Sequence, residues 1–270
     1  WTEKGSPLLL YTQELTEKLQ QKMPGNYTVH MAMRYQNPSL NAVLAEMQKC
    51  NYERIIVLPL FPQYASASNG SAVQKAMEII AKWWVIPEVK ILGQFYDHPG
   101  YIDCFVKRGK AFNLDEYDHV LFSYHGLPER QVDKVYTDEK PCADHSCENE
   151  INAENHHCYK ATSYATTRAI AAGLGLKEDQ YSVGFQSRLD DKWLKPYSDQ
   201  LIEDFAKKGH KKVLVFSPAF VADCLETTIE IGDEYQEIFE EHGGEKVQLV
   251  PSLNAEDDWV DTVKSMVLDA

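Results

Sequence analysis

A histidine, a row of glutamates and a cluster of cysteines are the side chains here with chemistry to offer. His125 closes the apolar run His119–Tyr124 and opens His125-Gly126-Leu127-Pro128, a turn that exposes an imidazole at the carboxyl end of a strand. There it can accept a proton near neutral pH or ligate a divalent metal; a hydrogen-bonded structural histidine is the alternative. Glu226, Glu230 and Glu234, with Asp223 and Asp233 nearby, recur every four residues and so share one helix face, drifting slowly around it. Like charges at that spacing cost a few tenths of a kcal/mol per pair, so the row does not exist to stabilise a helix. It suits proton conduction or a hard cation. The alternative is a solvated acidic face, but Glu226 follows closely on the apolar run Val213–Phe220, before such a face should begin.

The segment Asp138–Cys158 holds Cys142, Cys147 and Cys158, three histidines (His145, His156, His157) and six acids against one lysine. It has little apolar surface to bury, so something other than a core must order it. Thiolates and imidazoles in that density point to zinc or an iron–sulfur cluster. The spacing Cys-x4-Cys-x10-Cys matches no common zinc motif, and three thiols are one short of a four-thiolate site. Tyr124, Trp193 and Phe220 stand at strand ends, able to wall a flat aromatic ligand or to fill a core. Asn69-Gly70-Ser71 lacks the glycine spacing and lysine of a nucleotide loop.

These residues need elements to hold them. Strand-like runs at Val29–Tyr35, Arg54–Leu60, Val89–Tyr96, His119–Tyr124, Tyr181–Gln186, Lys212–Ser217 and Lys246–Ser252 alternate with helical patterns. The helices are expected at Leu8–Leu19, Pro38–Cys50, Ala72–Trp84, Ser163–Gly173 and Ser198–Lys208. Asn37-Pro38-Ser39 reads as a helix start, and Gly173, Gly175 and Gly209 as stops. The alternation predicts an α/β fold with parallel sheets covered by helices. A faint repeat, strand–helix–strand at Val29–Pro59 and again at Tyr181–Pro218, predicts two similar halves. Ligands of such sheets sit beyond the carboxyl ends of the strands, which is where His125, Arg34, Tyr35, Tyr64 and Phe220 fall.

Of the 270 residues, 44% are hydrophobic and 25% charged, which excludes a disordered or fibrous chain. No apolar run approaches the roughly 18–20 residues of a membrane span. With 27 basic against 41 acidic side chains the charge is −14, so nucleic acid is excluded as a partner and cations are favoured. Six cysteines, too few for a disulfide scaffold and half of them in one segment, and no charged-then-apolar leader predict a reducing cytoplasmic setting. No basic amphipathic helix argues for membrane attachment, though peripheral contact with the inner membrane suits an apolar ligand.

Four motifs lie in order along the chain: Pro59-Leu60-Phe61-Pro62-Gln63-Tyr64; Ser123-Tyr124-His125-Gly126-Leu127-Pro128; Phe185-Gln186-Ser187-Arg188 with Trp193-Leu194-Lys195-Pro196-Tyr197; and Ala222-Asp223-Cys224-Leu225-Glu226-Thr227. Together they resemble the ferrochelatases, in the form found in bacterial enzymes that insert iron into protoporphyrin IX, and span the chain from Gly5 to Leu253. The resemblance implies two Rossmann-like, chelatase-like domains with a porphyrin cleft between them. Their bounds would be 1–115 and 116–252, the second carrying the insertion 138–158, with 253–270 a helix packing back on the first. It implies that His125 and Glu226 are the catalytic pair and touch the Fe2+ substrate. Glu230, Glu234 and Asp223 would form a proton or metal path, on a helix with a π-type distortion. Arg34, Tyr35, Tyr64, Tyr124, Trp193 and Phe220 would line the porphyrin pocket. The implied partners are protoporphyrin IX and ferrous iron, in a monomer or homodimer.

Two features depart from the pattern. Family members carry a strand, helix and pocket lip ahead of the segment matching Trp1–Leu10, and the chain opens on Trp1, so a fragment of a longer protein is expected. Some bacterial members hold a two-iron two-sulfur cluster in an insertion like this one, with a cysteine where this chain has Ser163. Cys142, Cys147 and Cys158 then supply three thiolates, with a cluster, zinc or neither left open. A chelatase for cobalt, nickel or coproporphyrin, and a porphyrin- or metal-binding protein without turnover, are the competing readings.

Overall fold

The computed structural model describes residues 5–138, 140–142 and 145–270; Trp1, at the head of the expected fragment, and three positions of the cysteine-rich insertion lie outside them. Two parallel sheets form. The larger has the order β4-β3-β5-β6, with β3 His119–His125 between β4 Tyr181–Gln186 and β5 Lys212–Phe216, and β6 Lys246–Leu249 at the edge. Residues 119 to 124 are buried without alternation, as expected of a parallel strand covered on both faces. The smaller sheet pairs β1 Arg54–Val57 with β2 Glu88–Ile91.

Helices close the faces. α1 Pro7–Lys22 packs on α9 Asp257–Leu268, and α9 packs on α4 Pro99–Lys110. Trp259 of α9 is fully buried against Tyr101 and Phe95. At the rim of that contact Arg108 pairs with Asp258, whose carboxyl is held down at about 2: burial opposes this, but hydrogen bonds from Arg108 and Lys107 prevail. The Tyr101 hydroxyl donates to the Pro218 carbonyl at 2.6 Å, and Gln63 Nε2 donates to Thr166 at 3.0 Å. These bonds tie α4 to the segment after β5, and the segment after β1 to α6 Tyr159–Leu174.

Several expectations change. The segment 29–35 forms no strand ladder: the Val29 N–H is taken by the Gln20 side chain and the Met33 N–H by the Pro38 carbonyl. The strand–helix–strand repeat is therefore complete only in the second half, where α7 Ser198–Lys207 joins β4 to β5. β1 stops at Val57, just before Pro59 of a proline-bearing loop, a residue that cannot donate to a ladder. The cap of α2 Leu40–Lys49 is Ser39, whose hydroxyl accepts from the Ala42 N–H. α6 begins four residues earlier than the pattern suggests and runs through Gly173, stopping at Gly175 in the left-handed conformation. Gly173 lets two helices touch, since a Cβ there would lie 2.5 Å from Val106 of α4.

Candidate active site

His125 is the last residue of β3, in register with Gln186 of β4. The next residue has to be small: a Cβ on Gly126 would meet the Gln186 carbonyl at 2.7 Å and the Trp193 ring at 3.2 Å. The Gly126 N–H donates to that same carbonyl, so the turn is clamped to β4. His125 Nδ1 lies 2.7 Å from the Gly126 carbonyl. A carbonyl only accepts, so Nδ1 carries the proton and the neutral ring keeps its lone pair on Nε2. Trp193 and Phe220 flank the imidazole at 6.4 and 6.2 Å between ring centroids. Trp193 is held by a bridge to Pro128, and the Leu194 N–H by the Leu127 carbonyl.

The acidic row occupies a π-helix, Glu226–Glu234, which continues into α8 Tyr235–Glu241. Glu226 and Glu230 are half-buried and Glu234 is exposed, so the row runs from the interior to solvent. Glu230 is held tightly. It accepts from the Ser187 N–H at 2.7 Å, the Ser187 hydroxyl at 2.5 Å and Gln186 Nε2 at 3.1 Å. Gln186 Nε2 also reaches the Glu226 carbonyl at 2.8 Å. Ser187 does this from φ 60, a region that costs a non-glycine residue energy. Sequence reading passes over Gln186 and Ser187 as partners of Glu230. The available signal was two polar residues at a strand's carboxyl end, within a matched motif.

A cavity of about 1170 Å³ brings together Arg34, His125, Phe220 and Glu226. That exceeds the ~300–1,000 Å³ of sites for drug-sized ligands. Arg34 is fixed by donating from Nε to the Ser71 hydroxyl at 2.8 Å, and its guanidinium lies 4.6 Å over the Tyr35 ring. Tyr35 itself points outward, 66% exposed. Tyr64 lines a second cavity next to the first, beside His157.

Two of the expected residues, Tyr124 and Asp223, lie off the cavity. Tyr124 is fully buried, its hydroxyl 2.9 Å from Thr167; neighbouring residues of a strand face opposite ways, and His125 has the cavity side. Asp223 does not line the cavity. Its carboxylate accepts from the Ser252 N–H, the Thr227 hydroxyl and Asn254 Nδ2, which fastens the loop before the π-helix to the chain after β6. Cys224 beside it is pushed up to about 12, by burial first and then by the Glu226 carboxylate, so it remains a thiol.

In the insertion, Cys142, Cys147 and Cys158 are buried in a row, Cys147 in contact with both others and Cys158 also touching the Tyr136 hydroxyl. Mutual contact drives the outer thiols apart: Cys142 is lowered by its bond to Cys147, and Cys158 is raised by its own. The Ser163 hydroxyl is committed to the Tyr159 carbonyl at 2.8 Å within α6. No three His, Cys, Asp or Glu side chains among the described residues converge as an ion site. This donor set does not fit a four-thiolate cluster.

The ferrochelatase family model matches residues 2–270. The ferrochelatase of Legionella pneumophila (strain Lens) is 42% identical over 268 residues, 99% of this chain and 79% of the relative. That of Coxiella burnetii (strain Dugway 5J108-111) is 39% identical over 269 residues, 98% of this chain and 75% of the relative. Among solved structures, SirB from Bacillus subtilis with Fe3+ superposes with a TM-score of 0.63 at 12% identity, covering 98% of this chain and 91% of that one. CbiX, the terminal enzyme of siroheme biosynthesis in denitrifying bacteria, gives 0.54 at 13%, covering 98% and 96%. Those two likenesses carry the two-domain chelatase fold, and the family match with its relatives carries the reaction: the chain belongs to the ferrochelatase family, which inserts iron into porphyrin in heme synthesis.

Proposed function

We propose that this chain inserts Fe2+ into protoporphyrin IX with His125 and Glu226 as the groups that receive the two displaced pyrrole protons. The observation that carries the proposal is the tautomer of His125: Nδ1 is spent on the Gly126 carbonyl, so the free base is Nε2, on a side chain that lines the same cavity as Glu226. A planar porphyrin shields its nitrogen lone pairs with two N–H groups, so the ring must bend before the metal enters. An apolar wall can hold that bend with binding energy spread over the macrocycle. Phe220 of the cavity and Trp193, both beside His125, supply that wall, and Arg34 is the cation placed to meet acidic substituents of the ring.

As iron enters, one proton passes to His125 Nε2 and one to the Glu226 carboxylate, and the neutral metalloporphyrin leaves. Glu230, saturated by Ser187 and Gln186, positions the turn, while exposed Glu234 releases protons to water. Asp223 and the cysteine row take no part in these steps. The domain bounds 1–115, 116–252 and 253–270 are kept as the organisation that closes on the porphyrin, and a monomer or homodimer serves equally. Anaerobic Fe2+ insertion tests the assignment: His125→Ala and Glu226→Gln are each expected to lower kcat by ~10²–10⁴, the usual value of a positioned acid or base. Near-wild-type turnover in His125→Ala overturns it.

A further inference from the structure

The second cavity, about 1170 Å³, takes no part in the steps derived for His125 and Glu226. Ala65, Ala67, Leu127 and Tyr159 line both cavities, so the two share a wall of small and apolar side chains beside the His125 turn. The turn that leads into α6 contributes His156 and His157 to the second. That turn is built before any ligand arrives. Asn155 Oδ1 accepts from the Asn152 N–H at 2.7 Å, and its Nδ2 donates to the Glu150 carbonyl at 2.9 Å. The Cys158 N–H donates to the Asn155 carbonyl at 2.8 Å, and Gln94 Nε2 to the His156 carbonyl at 2.9 Å. The two imidazoles differ. His156 Nδ1 donates to the Ala153 carbonyl at 2.8 Å. His157 makes no hydrogen bond among the described residues; its ring neighbours are Tyr64 at 5.5 Å and His156 at 4.1 Å between centroids.

We infer that this second cavity receives the metalated product, with His157 as an axial ligand to the porphyrin iron. Three features choose a metalloporphyrin. Tyr64, Leu127, Val132, Val135 and Tyr159 give it the apolar and aromatic walls that suit a flat macrocycle. Lys134 lines it with no ion pair among the described residues, a cation for an acidic substituent of the ring; the acids present are Asp138, which Lys140 meets at 3.6 Å, and Glu154. Finally, an imidazole committed to no protein group is the donor that haem iron accepts. The metal-free ring has no metal for it to reach, so His157 separates product from substrate by the one atom the reaction adds. The contact is a coordinate bond from a ring nitrogen to iron, with no change in oxidation state and no proton moved. The inference rests on the iron-insertion reading and extends it to where the product goes next.

The test is titration of the full chain with ferric protoporphyrin IX, then reduction, followed in the visible spectrum. Wild type and His125→Ala are both expected to show the bands of imidazole-ligated iron, because the ligand is not the catalytic histidine. His157→Ala is expected to lose those bands and to bind the iron porphyrin at least ~10-fold more weakly, the lower bound for losing even an outer partner of a metal site. His156→Ala should keep them. Lys134→Gln should weaken binding by about two- to fivefold, the range of an exposed ion pair. His157 is exposed, so its replacement leaves the fold intact, and metal-free protoporphyrin IX should bind His157→Ala as tightly as wild type. Imidazole bands that survive in His157→Ala, or vanish in His125→Ala, overturn the inference. So does an equal loss of iron and metal-free porphyrin binding in His157→Ala, which would put His157 in the substrate's own pocket. No arm is read from turnover, so a failure here is distinct from a failure of the acid–base assignment to His125 and Glu226.

Discussion

His125 and Glu230 show two ways of fixing a side chain for chemistry. His125 is oriented by one bond to its neighbour's carbonyl, which leaves half the imidazole free to react. Glu230 is fully engaged, and a saturated carboxylate positions other groups. Changing it to Gln replaces one acceptor oxygen with a donor facing donors, at a loss of ~1.5–3 kcal/mol for hydrogen bonds to a charged group. Glu230→Gln is therefore expected to lower kcat by ~10–100-fold with the porphyrin KM little moved, and to lower the melting temperature. A KM that rises while kcat holds would instead place Glu230 against the substrate.

At the scale of elements, position is decided by close approaches. α4 and α6 cross where Gly173 meets Val106 and where a Cβ on Gly109 would stand 2.9 Å from Leu174. Gly173→Ala is expected to destabilise the protein by ~1–3 kcal/mol through overpacking, measured by urea unfolding, and Val106→Ala in the same chain should recover part of that loss. Independent, additive effects would mean that the helices separate without strain. The π-helix works differently. Its bonds reach one residue further than those of an α-helix, which matches a segment tied at its start by Gln186 and at Glu230 by Ser187. The acidic row was legible as four-residue spacing; the glutamine and serine that anchor it were not, because their partners lie about 40 residues away.

For the whole molecule, acid sensitivity has an identifiable source away from the cavity. His119, at the opposite end of β3 from His125, is buried against Phe205, its Nε2 2.9 Å from Ser182. Burial first, then His210 and Lys208, hold it down at about 4 against an ordinary 6.5. It is neutral in the fold. Above pH 6.5 it is neutral in the unfolded chain too and adds no pH dependence. As pH falls from 6.5 toward 4 the unfolded state takes up a proton that the fold refuses, so stability declines by up to about 3 kcal/mol. Unfolding free energies across that range should slope accordingly, and His119→Gln should flatten the slope; an unchanged slope would assign the acid sensitivity elsewhere.

The sequence by itself determined the α/β class, the second sheet and the family. Buried parallel strands are written as continuous apolar runs, and the motifs at His125 and Glu226 are local strings that need no folding to be read. It also determined that no helix among the described residues is long and apolar enough to cross a membrane. Tertiary structure decided the rest, because the direction of a side chain depends on partners distant in sequence. It turned Tyr124 into the core and His125 into the cavity from adjacent positions, and it spent Asp223 on fastening a loop. It took the Val29 and Met33 donors away from a ladder, locked Ser163 to its own helix, and put Trp83 inside while leaving Trp84 outside. Each of these choices is made by which neighbour is within reach once the chain is packed, a quantity that periodicity and composition do not contain.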